Sequence, residues 1–563
     1  AIVATVAVAN AALPKAGGTM TGNIATKGIS SVTAGTSNFV AGDTAGDSIV
    51  SGGNYNTLVG SAAGTATTTG DYNSALGRNA LGSNTTGASN VAVGRNTMFT
   101  NTTASNNTAV GDSALYTNTT GHSNTSLGRQ SMYWNTTGYD NTAIGMDAAQ
   151  SNTDGHSNVS AGVSALFANL GGSYNTAIGK FALKANTTAA ANTALGYNAL
   201  FANTTGSNNT ALGVNCMDAN TTGVNNVAVG VDTLNQNTTG TEHVALGFEA
   251  LRSNTTGHSN VAVGNEALEN NTTASNNTAV GTKSLRANTT GTHNTSVAHN
   301  SMLANTTGSH NTAIGQGALY ANTTASNNTA LGRAALTSNT TGVNNTSVGY
   351  YSLLANTTGA SNTATGYQSL GANTTGHSNT AFGLSSLAAN TTGNENTALG
   401  PSAGHKVTTG VGNTCVGYVA GNTLTTGINN VFLGRAAGGA ETSGSNNLYI
   451  ARDNTNAANA ATWIYGGSSG ACYQGNNSSS WSQVSDERIK KDIVDSPNGL
   501  AKIDAIQVRN FNFRTQEEIT VEGLTSCDAA GLQTGVIAQE LALVMPNAVT
   551  ENERGMKQVQ TDP

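Results

Sequence analysis

The sequence predicts an all-β chain built mainly as a β-solenoid. Three observations carry that reading: a fixed 17-residue repeat, strand-and-turn chemistry inside the repeat, and a composition too poor in bulky side chains to fill round cores. Of 563 residues 69 are Gly, 37% are hydrophobic and only 5% aromatic. Charged residues are 9%, where a soluble globular domain runs near ~25%. Charge and Pro (5 residues) are also too sparse for ordinary disorder. The net charge of −7 excludes a broad basic surface for nucleic acid.

Stepping by 17 from Asn56 reaches Asn447 through 24 repeats without an insertion or deletion. Asn holds 23 of these 24 positions, and His243 is the departure. Four residues on, Gly holds 22 of 24, with Ala298 and Ala451 the departures. Eleven residues on, Asn recurs in 19 consecutive repeats from Asn84 to Asn390. The consensus is N-T-A-(V/L/I)-G-x-x-A-L-x-x-N-T-T-G-x-x, which is too short for two helices and a turn. NTALG alternates and closes on Gly, as a very short strand does. NTTG is turn chemistry, because Asn and Gly tolerate positive φ. Each repeat is therefore predicted to be one coil with two short strands and two turns. At an inter-strand spacing of about 4.8 Å, 24 coils would make a rod on the order of 115 Å long.

Coils stacked in register place like residues in ladders. Asn ladders can bond amide to amide along the stack, and Ala75, Ala92 and Ala109 permit close packing. The branched position (Leu76, Val93, Val110, Leu127) and the Leu/Met position (Leu81, Met98, Leu115, Met132) supply the only regular bulk. Such a thin core predicts several chains packed side by side, most simply three around an axis; the alternative is one broader single-chain β-helix. Near the end Gly404, Gly421 and Gly438 replace the Leu/Met position, and the NTT turn gives way at Val407, Leu424 and Glu441. Ala63-Gly64 shows the same variant at the start, as terminal caps and junctions do.

The organisation read from these patterns is a connector over 1–50, the repeat shaft over 51–450, a linker over 451–484 containing GNNSSSWSQ, and a separate domain over 485–563. That last segment holds 8 Lys/Arg and 13 Asp/Glu, a sharp rise in charge. It shows helix-like IKKDIVDS and GLAKIDAI, a strand-like VRNFNF, and a second helix in GVIAQELALVM. Ser485 reads locally as a helix N-cap, with Asp486 and Glu487 favouring the dipole. A nucleophilic reading competes: Arg488 and Lys491 would depress the pKa of Lys490, letting it serve as a base for the Ser485 hydroxyl. On a helix these two residues would lie about 140° apart, so a dyad needs a non-helical turn or a Lys from a neighbouring chain.

The coil resembles the heads of trimeric autotransporter adhesins and, more closely, repeats of phage tail-fibre proteins. LPKAGGTMTGNI (Leu13 to Ile24) resembles a recurrent tail-fibre element, which makes 1–50 a fibre connector. SDERIKKDI (Ser485 to Ile493), GLAKIDAIQVRNFNFR and GVIAQELALVMPNAV (Gly535 to Val549), in that order, resemble the intramolecular chaperone domain of endosialidase-type tail spikes. That resemblance implies a domain that trimerises, guides folding of the upstream β-structure and then cuts itself off beside Ser485, with Asp486 in the same SD motif and Lys490 assisting. In the family a further C-terminal helix follows these motifs, and both ends, Ala1 and Pro563, read as cut or processed. The implied protein is the trimeric shaft of a virion fibre for host attachment. Its partners would be itself as a homotrimer, phage baseplate or tail proteins, and a host cell-surface receptor of glycan or outer-membrane type. No cofactor or metal, no nucleic acid and no membrane insertion is expected. A bacterial surface adhesin or extracellular filament of the same build is the alternative, and an ice-binding solenoid with Thr ladders a third.

Other signals have bland readings. Cys216, Cys415, Cys472 and Cys527 are too far apart for a disulfide framework or a metal spacing. N-T-T satisfies the N-glycosylation pattern but reads as turn chemistry. No Gly-rich stretch carries a phosphate-loop Lys. His122, His156, His258 and His377 recur in GHSN two to seven coils apart, too far for one shared ion. Tyr133-Trp134 could stack on sugars, though packing explains scattered aromatics as well. No paired carboxylates suggest a glycosidase. The opening AIVATVAVANAAL lacks a basic flank, so it is a poor signal peptide, and nothing reaches the ~20 apolar residues of a membrane span.

Overall fold

The computed structural model describes residues 29–30, 35–451, 462–466, 472–474, 490–495, 508–513, 516–518, 533–544, 549–551 and 557–559. The chain divides into two units, Ala1–Thr375 and Gly376–Pro563. Both carry the same parallel β-solenoid coil, about 24 turns of it in all.

In the first unit β1 (Ile29–Ser30) pairs antiparallel with β2 (Phe39–Ala41), which starts the parallel stack by pairing with β3 (Thr57–Val59), Val40 opposite Leu58. The step here is 18 residues rather than 17, so the stack extends one coil ahead of the first regular repeat. From β3 to β20 (Thr346–Val348) every three-residue strand pairs with the strand one repeat on, up to β21 (Thr363–Thr365); Ala75 faces Ala92, which faces Ala109. In the second unit β22 (Thr380–Phe382), β23 (Thr397–Leu399), β24 (Thr414–Val416), β25 (Val431–Leu433) and β26 (Leu448–Ala451) continue the pattern, with Ala398, Cys415, Phe432 and Tyr449 in one column.

Each coil contains one strand, not the two expected. In the coil from Asn73, Ser74–Leu76 is the strand and Gly77 closes it at φ 144°. A side chain at Gly77 would collide with the Gly94 carbonyl of the next coil, which explains the near-invariant Gly. Beyond it Asn79 (φ 60°), Leu81 (φ 53°) and Ser89 (φ 56°) adopt left-handed conformations. These breaks prevent a second extended run, but they do not leave the backbone unbonded. Leu81 N–H donates to the Thr97 carbonyl at 3.0 Å, Thr85 N–H to Thr102 at 2.8 Å, and Ser89 N–H back to Asp71 at 2.9 Å. The whole perimeter is thus laddered to the coils on either side. Ala298 takes the closing position at φ 110°, a strained conformation for any residue with a Cβ. Ala451 instead ends the stack: β26 lengthens to four residues and pairs antiparallel with β27 (Thr462–Gly466), which pairs with β28 (Cys472–Gln474).

Alternation within a three-residue strand points the middle residue inward and the other two outward. The interior therefore holds the Ala column and the Leu/Met column, both fully buried at Ala92, Ala109, Leu81 and Met98. The branched third position faces out, contrary to its expected role as core bulk: Leu76 is 53% exposed and Leu195 46%.

Two Asn columns complete the interior. In the first, the buried Asn107 donates its backbone N–H to Asn90 Oδ1 at 3.0 Å and its Nδ2 to the Gly121 carbonyl at 2.9 Å, while its own Oδ1 accepts from Asn124 N–H at 2.9 Å. In the second, Asn118 Nδ2 donates to Asn101 Oδ1 at 2.8 Å and to the Gly121 carbonyl at 2.9 Å. The expected amide-to-amide ladders are present, and both also tie down the turn carbonyl. A buried carbonyl without a partner costs about 1–3 kcal/mol, which explains why Asn, and not a similar-sized apolar residue, fills the columns.

Candidate functional site

The segment carrying the candidate cleavage residues folds around an antiparallel three-stranded sheet: β29 (Lys490–Asp495), β30 (Val508–Phe513) and β31 (Gln533–Val536). A short helix, α1 (Ala538–Val544), follows β31 and packs on the hairpin of β32 (Val549–Glu551) and β33 (Lys557–Val559). Phe511, Ile537, Ala538 and Leu541 are buried. Arg509 on β30 grips Glu540 on α1 with two bonds, Nη2 to Oε1 at 3.0 Å and Nε to Oε2 at 3.1 Å. Such a bidentate pair fixes both distance and orientation. The strand in VRNFNF and the helix in GVIAQELALVM are as the sequence predicts.

IKKDIVDS is not a helix. Lys490–Asp495 pairs with β30, Lys490 opposite Phe513 and Asp495 opposite Arg509, with a bulge between Lys491 and Val494. The β-branched pair Ile493-Val494 favours extended backbone, and an open edge of β30 supplies the partner. The helix expected in IKKDIVDS is therefore replaced by a strand over 490–495. Lys490 stands at the first position of β29. Ser485 and Asp486 lie outside the described residues, as do GLAKIDAI and LPKAGGTMTGNI.

Elsewhere the structure places other singled-out residues in structural roles. His243 takes an Asn position in the first ladder and reproduces each of its bonds. Its N–H donates to Asn226 Oδ1 at 3.0 Å, Nε2 lies 2.7 Å from the Gly257 carbonyl, and Nδ1 accepts from Asn260 N–H at 3.2 Å. A donor at Nε2 and an acceptor at Nδ1 define the neutral imidazole with its proton on Nε2. Burial holds its pKa down to about 4. Cys216 and Cys415 fill small interior positions, and burial pushes both thiols up to about 12, so they are unreactive. His122 and His156 flank Tyr139 in a continuous stack, with centroids 5.1 and 4.7 Å apart. Phe99, Tyr116 and Tyr133 stack likewise at 5.5 and 4.9 Å, with Trp134 edge-on to Tyr133. These rings form columns one coil apart and cover one another's faces. Among the described residues no group of His, Cys, Asp or Glu is arranged to hold a metal ion, and no helix is long and apolar enough to cross a membrane.

No curated protein and no solved structure matches the chain. Residues 485–550, the stretch that begins at Ser485 and runs through β29, β30, β31 and α1 into β32, match the family described as chaperone of endosialidase.

Proposed function

We propose that the chain is the structural fibre of a phage virion, used for host attachment, whose C-terminal domain assembles three copies and then cuts itself off beside Ser485. One juxtaposition carries the reading: a chaperone-of-endosialidase domain follows a long parallel solenoid of near-identical coils.

The physical need is specific. Because the coils are nearly identical, slipping one copy by 17 residues against another loses one coil of contacts and keeps the rest. While the coils are still assembling, before β1 and β27 pair onto the stack, the growing stack presents unpaired strand edges, which invite open-ended pairing. A clamp at one end of the chain fixes register before stacking spreads. Once the fibre is formed the clamp is dispensable, which gives self-cleavage its use. In the cut, the Ser485 hydroxyl attacks the adjacent peptide carbonyl, and Lys490 takes the hydroxyl proton and passes it to the departing amide nitrogen as the C–N bond breaks; water then hydrolyses the resulting ester, with Asp486 beside Ser485 in the SD motif. Baseplate or tail proteins and a host surface receptor are the partners of such a fibre.

Intact-mass analysis of the full-length expressed gene tests this. Release of the C-terminal fragment at Ser485 is expected, and Ser485→Ala abolishes it. A single uncut species from the natural sequence overturns self-cleavage. A homogeneous trimer made without residues 485–563 overturns the clamp.

A further inference from the structure

We infer that the outward face of the strand column, the first and third residues of each coil's strand, is the surface on which another copy of this chain packs. The inference deepens the proposed homo-oligomer and rests on it.

From β3 to β21 the third strand residue is Val, Leu or Ile in 17 of 19 coils, and no charged residue occupies either outward position. These side chains are not hidden within the chain: Leu127 is 45% exposed, Ile144 43% and Leu331 44%. A single exposed Leu needs no explanation, but an unbroken apolar column does. The first outward position adds Thr or Val, with Ser74 the one departure between β3 and β21, which keeps the face flat. Two residues past each strand, across the closing Gly, the next column carries charge at Arg78, Arg95, Asp112, Arg129 and Lys180, with Arg95 and Asp112 paired at 2.8 Å, and exposed apolar side chains at Met146, Val214, Val231 and Phe248. Along the first coils the apolar face therefore has a charged flank, as protein interfaces do, and along the middle coils the apolar face widens.

The pitch identifies the partner. The column repeats once per coil, at a strand spacing of about 4.8 Å. A helix rises about 5.4 Å per turn and drifts out of step within a few coils. A second solenoid of the same coil stays in step throughout, so every apolar row meets an equivalent row. Each coil offers about 50 Å² of flat face, from that spacing and a strand about 10 Å wide. The twenty coils of the first unit then offer about 1,000 Å², above the ~800 Å² per partner of a stable complex.

Hydroxyl-radical footprinting of the intact protein tests the assignment, with its solution mass measured alongside. Leu127, Ile144 and Leu195 should oxidise about tenfold more slowly than Leu170, an exposed Leu outside this face, as burial in a packed interface core requires. A second sample carries Leu127→Lys, Ile144→Lys, Ile178→Lys and Leu195→Lys. There the neighbouring Val110 and Leu212 should lose protection. Thr120→Lys, Thr137→Lys, Thr188→Lys and Thr205→Lys, on an exposed turn column, should leave it intact. Oxidation of Leu127, Ile144 and Leu195 at the rate of Leu170 in a multi-chain particle overturns this inference alone. A wild-type mass of one chain overturns the homo-oligomer as well. The wild-type footprint decides the matter even if the lysine variant fails to fold.

Discussion

The coils in the middle of the solenoid and the coils that flank them fill the same cross-section in opposite ways. In the middle, the strand centre is small (Ala92, Ala109), the turn position is large (Met98, Leu115) and the second ladder is Asn. At the flanks, the turn position is Gly, the strand centre becomes large towards the ends, and the second ladder gives way to Ile49, Thr67, Val407, Leu424 and Glu441. The first unit shows Leu58 with Gly64 and Thr67, preceded by Val40 with Gly46 and Ile49. In the second, the strand centre grows from Ala398 through Cys415 to Phe432 while the turn holds Gly404, Gly421 and Gly438, and Val407 and Leu424 replace Asn. The contacts show the exchange: a Cβ on Gly64 would lie 2.8 Å from Leu58 Cδ1, and one on Gly421 2.7 Å from Phe432 Cδ2. Bulk lost at the turn returns at the strand centre, at the second ladder or from a neighbouring coil, as at Gly404, where a Cβ would lie 2.9 Å from Leu387 Cδ2, and close packing is kept although the residue at each position changes.

The comparison is broken most severely at Phe432. It is fully buried, with Gly421 and Gly438 packed against its ring. Phe432→Ala should destabilise these coils by about 4 kcal/mol. Hydrogen exchange over 414–447 reads the loss. Unchanged protection would mean that Tyr449, stacked on Phe432 at 5.5 Å, closes the gap.

The middle coils depend instead on their ladders. Asn328→Ala removes the acceptor of Asn345 N–H (2.9 Å) and one donor to the Gly342 carbonyl (2.9 Å). The Gly342 carbonyl keeps its bond from Asn339 Nδ2 at 3.0 Å, so one buried backbone N–H is left without a partner, at a cost of about 2 kcal/mol. Denaturant melts with exchange mass spectrometry over 311–345 check it.

His243 sharpens the same point, because it keeps the ladder only while neutral. Its folded-state pKa of about 4 lies below the ordinary 6.5. Between those values the unfolded chain binds a proton that the folded coil does not. Stability is therefore fully present above about pH 6.5, falls as the pH drops toward 4, and is flat below, with about 2 kcal/mol lost by pH 5. His243→Asn, which restores the consensus, should abolish that slope in exchange over 226–260 while changing little at pH 7.

Much of this was legible in the sequence. The 17-residue period, the Asn ladders, the Ala column and the Gly closures each follow from residues that repeat without slippage, and the three C-terminal motifs marked the domain that the family match covers. The second expected strand was not, because Leu81 and its equivalents sit in a left-handed conformation that Leu rarely adopts. The outward direction of Leu76 depends on strand parity, which a three-residue strand shows too briefly to read. IKKDIVDS read as helix because its charges are spaced like one, and the edge of β30 that captures it lies some 20 residues away.

The exchange of volume between strand and turn can be built where it does not occur. Ala228 and Leu234 stand six residues apart in a middle coil, as Leu58 and Gly64 do at the flank. Ala228→Leu alone overfills the coil and should cost about 2 kcal/mol. Adding Leu234→Gly vacates the matching space and relieves a left-handed Leu at φ 51°, a conformation that costs about 1 kcal/mol. The double variant should therefore lie within about 1 kcal/mol of the natural protein, more stable than Ala228→Leu although it carries one more substitution. A thermal melt that ranks the double variant below the single would show that the flanking pattern serves the ends of the stack for another reason, and that volume is not what the coils conserve.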